Sequence, residues 1–83
     1  MPLIIPLRVY KQIAMMPKVD AHRLLDRPEK IAEAPDRPHP GMTPLVGEPG
    51  VYRVRQGDWR AILSFEDGEV VLDRVAHRRE VYR

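Results

Sequence analysis

Three strand-like runs, the first of them strictly alternating, separated by two tight-turn signatures constrain this chain more than anything else in it. Val51-Tyr52-Arg53-Val54-Arg55 alternates apolar and basic residues, Gln56-Gly57-Asp58 breaks the run, and Trp59 to Phe65 resumes it. Glu66-Asp67-Gly68-Glu69 then breaks it again before Val70 to Val75. Alternation with a period of two places one set of side chains on a buried face and the other on an open one. Asp-Gly tolerates the left-handed backbone that a two-residue hairpin needs. The last third of the chain is therefore predicted to be a three-stranded antiparallel meander. His77 to Arg83 follows as an extended or irregular tail.

The pattern upstream has a different period. Leu7, Val9, Tyr10, Ile13, Ala14 and Met16 approximate the spacing of an amphipathic helix, which Pro17 stops. Val19 to Ala34 reads as a second helix with Leu24, Leu25, Ile31 and Ala32 as its apolar stripe and Asp20 as its N-cap. Pro28 falls inside it; an interior proline costs about 3 kcal/mol, so a kink or two short helices are expected. Pro35 to Gly41 is a loop, and Pro2-Leu3-Ile4-Ile5-Pro6 is a short extended stub suited to a sheet edge. The fold class is thus α+β. A short N-terminal strand and two helices precede the meander, and the helices lie on one face of the sheet. Eighty-three residues make one domain, 1–83, with a thin core that leans on strand pairing or on a partner.

Several function classes drop away on composition. The chain has no Cys, so it has neither a disulfide framework nor a thiolate metal site, which fits a cytoplasmic location. Its three His and scattered carboxylates show no metal-ligand spacing. The apolar run Leu3-Ile4-Ile5 is far too short for a signal peptide or a membrane span. The net charge is only +2, yet every Lys or Arg from Gly41 onward is Arg, seven in all, offset by seven Asp and Glu. Any basic site is therefore local. Guanidinium is the side chain for planar, multi-donor recognition of phosphate.

Strand parity gathers part of that arginine. Arg53 and Arg55 share one face and Tyr52 and Val54 the other, with the second pair assigned to the core. In the next strand Arg60, Ile62 and Ser64 share a face, which brings Arg60 beside Arg55 across the Gly57 turn. Guanidiniums crowded on an uncovered face repel one another unless an anion sits among them. The alternative is an ordinary solvated face. Charged strand surfaces discourage aggregation, and Asp58, Asp67 or Asp73 can absorb these arginines into surface ion pairs worth about 0–1 kcal/mol each.

From Gly47 to Arg83 the chain resembles the RelE/ParE superfamily of small toxins from type II toxin–antitoxin pairs. The resemblance is carried by Leu45-Val46-Gly47, Gly50-Val51-Tyr52-Arg53-Val54-Arg55, Gly57-Asp58-Trp59-Arg60 and Val75-Ala76-His77-Arg78-Arg79-Glu80-Val81-Tyr82. The N-terminal half matches in layout, with Ile31-Ala32-Glu33-Ala34-Pro35 resembling the family's exit from its second helix. It departs in the strand bracketed by Pro2 and Pro6 and in Pro28, inside a helix that is usually uninterrupted.

The RelE-like branch implies a metal-independent, cofactor-free endoribonuclease that cuts mRNA on the ribosome. The substrate's own 2′-hydroxyl attacks the adjacent phosphate. Such chemistry needs a base for the 2′-OH, positive charge for the transition state and an acid for the leaving 5′-oxygen. By resemblance, Arg53, Arg55 and Arg79 bind RNA phosphate, while Arg60, Arg78, Tyr82 and His77 form the catalytic set. Arginine does not give up its proton in proteins, so the arginines orient and stabilise. Proton transfer falls to Tyr82, which as a base needs neighbouring positive charge, or to His77, whose side-chain type titrates near neutrality unaided.

Each of these residues also has a plain structural reading: His77 as a strand-end hydrogen-bonding residue, Tyr82 and Trp59 as packing aromatics, Met15 and Met16 as helix-core or antitoxin contacts. His22 and His39 read as surface residues. The resemblance implies a cognate antitoxin as partner, in a hetero-oligomer, with mRNA and the ribosome as targets and no membrane. Its other branch, ParE, implies a non-catalytic DNA gyrase inhibitor, and a degenerate non-toxic relative is a third possibility.

Overall fold

The computed structural model describes residues 1–81. In chain order the elements are β1 (Leu3–Ile4), α1 (Leu7–Ala14), α2 (Lys18–Glu33), β2 (Met42–Pro44), β3 (Val51–Gln56), β4 (Trp59–Glu66), β5 (Glu69–His77) and α3 (Arg78–Val81). The expected α+β order holds, with two additions. Met42–Pro44 pairs antiparallel with β3, and the tail becomes a helical turn at Arg78 instead of staying extended or irregular. The sheet has five strands in the order β1-β5-β4-β3-β2, and only the β1–β5 pair is parallel.

Both hairpins close where the turn chemistry asked for them. Gln56 pairs with Trp59 around Gly57 and Asp58, and Glu66 pairs with Glu69 around Asp67 and Gly68. Asp67 and Gly68 both have positive φ, 49° and 77°, which gives the hairpin the twist of its strands. The short β2 carries almost no sequence signal, because it is three residues long and ends in proline. It is held by register, with Thr43 opposite Arg53 and Pro44 at the sheet edge.

The helices cover one face of the sheet. Val9 and Ile13 from α1, and Leu24, Ile31 and Ala32 from α2, pack on Val54, Ala61, Leu63, Val70, Leu72 and Val75. Pro28 does not divide α2, which runs from Lys18 to Glu33 as one element. The proline lies between Leu24 and Ile31 on the buried stripe and is itself buried, so its ring adds to the core in place of the hydrogen bond it cannot donate. Asp20 does not cap α2 either. Pro17 takes the cap position, and Asp20 sits inside the first turn, where its charge complements the helix dipole.

One irregularity matters for the site. Along β4 and β5, Ile62 pairs with Arg74 but the next residue, Leu63, pairs with Leu72. Asp73 is the extra residue of a β-bulge, and parity along β5 reverses there.

Candidate anion-binding face

β3 and β4 place their arginines as strand parity requires. Arg53 and Arg55 are exposed on the face away from the helices, while Val54 between them is buried in the core. Arg60 pairs directly with Arg55, and Arg53 with Ile62. Gly41, Thr43, Arg53, Arg55 and Arg60 together line a hollow of about 190 Å³. Arg60 is held in place from below: its Nη1 donates to the carbonyls of Gly57 at 2.9 Å and of Trp59 at 3.0 Å. A guanidinium tethered through one nitrogen has less orientational freedom to lose when it meets an anion.

One wall of the hollow is the end of the proline-rich loop. Arg55 donates its backbone N–H to the Gly41 carbonyl at 3.0 Å, and Gly41 has φ of 77°. A side chain there would put its Cβ 2.8 Å from the Arg55 carbonyl oxygen. Only glycine lets the loop lie this close to β3.

Among the described residues no carboxylate lies within ion-pair distance of Arg53, Arg55 or Arg60. Of the aspartates that could have paired with these arginines, Asp67 and Asp73 form no ion pair among the described residues, and Asp58 pairs elsewhere, with Arg78 at 3.7 Å. The face therefore concentrates positive charge that no carboxylate of the described residues neutralises.

The other sequence-predicted residues are distributed differently. Arg78 opens α3, donating its backbone N–H to the Asp58 carbonyl at 2.7 Å, with an exposed side chain. Arg79 is exposed beside it, and its backbone N–H donates to His77 Nδ1 at 3.3 Å. His77 lies on the opposite side of the sheet from Arg60. It pairs with Trp59, meets that ring edge-on at 5.3 Å, and lines a cleft with Asp20, Arg23, Gln56, Asp58 and Trp59 on the α2 side. Tyr82 lies outside the described residues.

The residue that sequence reasoning missed is Arg74. Simple alternation from Leu72 would send it into the core, but the bulge at Asp73 turns it to the open face, opposite Ile62 and exposed. No local sequence signal marks that bulge.

A two-layer α+β domain with helices on one face of a mostly antiparallel sheet is the architecture of the RelE fold. It superposes on the RelB–RelE antitoxin–toxin complex from Methanococcus jannaschii with a TM-score of 0.76 at 18% identity, covering 95% of this chain and 94% of that one. The isolated RelE toxin of E. coli gives 0.76 at 21% identity, covering 98% and 89%. The toxin–antitoxin complex RelBE2 from Mycobacterium tuberculosis gives 0.72 at 21%, covering 93% and 96%. No curated protein matches the sequence. The family model for the ParE toxin of the type II toxin–antitoxin system parDE matches residues 7–82, nearly the whole length. The chain belongs to this ParE toxin family of type II toxin–antitoxin systems, within the RelE/ParE superfamily.

Proposed function

We propose that this toxin acts as a metal-independent endoribonuclease on mRNA at the ribosome. The observation that supports it best is Arg55 directly opposite Arg60, beside Arg53, with no carboxylate among the described residues to neutralise them. A binding scaffold can use scattered charge. Three guanidiniums converging on one hollow suit a pentacoordinate phosphorane-like transition state, whose charge exceeds that of the ground-state phosphodiester.

In this reading the 2′-oxygen of the substrate forms a bond to the adjacent phosphorus and the bond from phosphorus to the 5′-oxygen breaks. The products are a 2′,3′-cyclic phosphate and a free 5′-hydroxyl. Arg53, Arg55 and Arg60 hold the non-bridging oxygens, and Arg78 and Arg79 contact the flanking backbone. One proton leaves the 2′-hydroxyl and one joins the 5′-oxygen. Tyr82 is the candidate for this transfer, because His77 faces the α2 side of the sheet, away from the arginines.

A cognate antitoxin is the expected partner, as in the RelB–RelE and RelBE2 complexes, in a cytoplasmic hetero-oligomer. Exposed Leu7, Tyr10, Met15 and Val19 on the helical side support a protein partner there. Met16, by contrast, packs on the core.

Expression without antitoxin, followed by primer extension on a translated message, tests the activity. Growth arrest with cuts inside translated codons supports it. The family match to ParE toxins favours a second reading, a gyrase inhibitor without catalysis. Arrest with intact message and loss of gyrase supercoiling by purified toxin would select that one.

A further inference from the structure

The bulge at Asp73 does two things at once. It keeps Val75 on the core side, buried and paired with Ala61, and it brings Arg74 round to the arginine face. Arg53, Ile62 and Arg74 then form one cross-strand row, with Arg74 on the far side of Ile62 from Arg53. At the usual strand spacing these two arginines are rooted roughly 10 Å apart. Arg60 sits two residues from Ile62 on the same face and pairs with Ala76. Arg53, Arg60, Ile62, Arg74 and Ala76 line a small hollow of about 60 Å³. It adjoins the larger hollow of Gly41, Thr43, Arg53, Arg55 and Arg60, and shares Arg53 and Arg60 with it.

The bulge is also braced. Beyond Ile4, β1 no longer pairs with β5, so the outer edge of β5 from Leu72 onward has no strand partner among the described residues. At that edge Arg8 of α1 donates from Nη1 to the Asp73 carbonyl at 3.1 Å. A backbone group that the ladder leaves over is thus satisfied by a side chain from the helix layer. No carboxylate among the described residues comes within ion-pair distance of Arg74.

We infer that Arg74 completes a second phosphate subsite, so that the open face grips two successive phosphates of a single RNA strand. The first phosphate occupies the hollow of Arg53, Arg55 and Arg60. The second lies over Ile62, between Arg74 and the shared pair Arg53 and Arg60. The inference rests on the arginine face being the phosphate-binding face. Arg74 acts here by binding and positioning the strand and takes no part in proton transfer.

The test compares a dinucleoside monophosphate with a trinucleoside diphosphate, both 2′-O-methylated so that neither is cleaved. Amide chemical shifts of the full-length toxin are followed during titration. The wild type is expected to bind the diphosphate at least about tenfold more tightly, in keeping with one further charge-assisted contact pair. Arg74→Ala removes most of that gain, while Arg74→Lys retains part of it. In the wild type, log Kd for the diphosphate against log salt is steeper, by about 0.7 per added phosphate contact, and Arg74→Ala removes that increment. Retention of the full diphosphate gain in Arg74→Ala overturns the second subsite. If Arg60→Ala weakens both ligands while Arg74→Ala weakens neither, the phosphate-binding face stands and only this subsite falls. If the wild type binds neither ligand, both fall. Arg74 is exposed, so its variants are expected to fold, and the unperturbed amide spectrum of the free protein verifies this.

Discussion

Arg55 and Arg60 stand directly opposite each other on the open face of the sheet, and the Arg60 guanidinium is tethered to the Gly57 and Trp59 carbonyls of its own hairpin. Like charges at a cross-strand pair oppose folding, so this arrangement is retained at a cost in stability. A bound anion would remove the cost.

Arg55→Thr is therefore expected to stabilise the free protein. The like-charge term is about 0.2–1 kcal/mol, which corresponds to a rise of a few degrees in Tm for a domain of this size. The gain shrinks as salt screens the pair. Thermal melts at low and high ionic strength check both statements, and a fall in Tm at low salt would contradict them.

The proposed RNA cleavage should respond in the opposite sense. Arg60→Ala removes a guanidinium that the described residues already anchor, and under the proposed endoribonuclease function it is expected to lower single-turnover RNA cleavage by about 10²-fold or more. Arg60→Lys keeps the charge but loses the fork geometry and should recover only part of the rate. Cleavage rates on an oligonucleotide at saturating toxin read this directly.

Gly41→Ala tests the loop that walls the hollow. Its positive φ and the 2.8 Å approach of a Cβ to the Arg55 carbonyl both penalise any side chain. A loss of about 1–3 kcal/mol is expected in denaturant unfolding, together with weaker anion binding as the loop moves off β3. Gly47→Ala meets no atom within 4 Å, so any loss there reflects its positive φ alone and should be smaller.

Two substitutions at buried positions of β4 should separate in sign. Leu63→Ala removes a fully buried side chain at the centre of β4 and is expected to cost about 2–5 kcal/mol. Ser64, next to it, is buried with its hydroxyl unpaired among the described residues. Ser64→Ala removes an unsatisfied polar group and should raise stability by about 1 kcal/mol. Urea midpoints at constant m-value measure both.

By itself the sequence determined the elements whose cause is local. The Asp67-Gly68 turn closes because those two residues accept positive φ, and β3 and β4 split into core and arginine faces because strand parity is a backbone property. The apolar spacing of α2 fixed which of its faces is buried, whereas of the spaced apolar residues within α1 only Val9 and Ile13 are buried and Leu7, Tyr10 and Ala14 are exposed; the motifs from Leu45 to Tyr82 carried the superfamily. What the tertiary structure decided depends on register and on packing between distant segments. Pro28 is accepted inside α2 because its ring fills the layer between Leu24 and Ile31. Met42–Pro44 is a strand only because β3 offers it an edge. His77 is sent to the α2 side, and Arg74 to the arginines, by one extra residue at Asp73, because in a sheet a single-residue shift exchanges the two faces. Such a bulge is stabilised by a contact from a helix 65 positions away in sequence, Arg8 to the Asp73 carbonyl, and no local pattern in the chain encodes it.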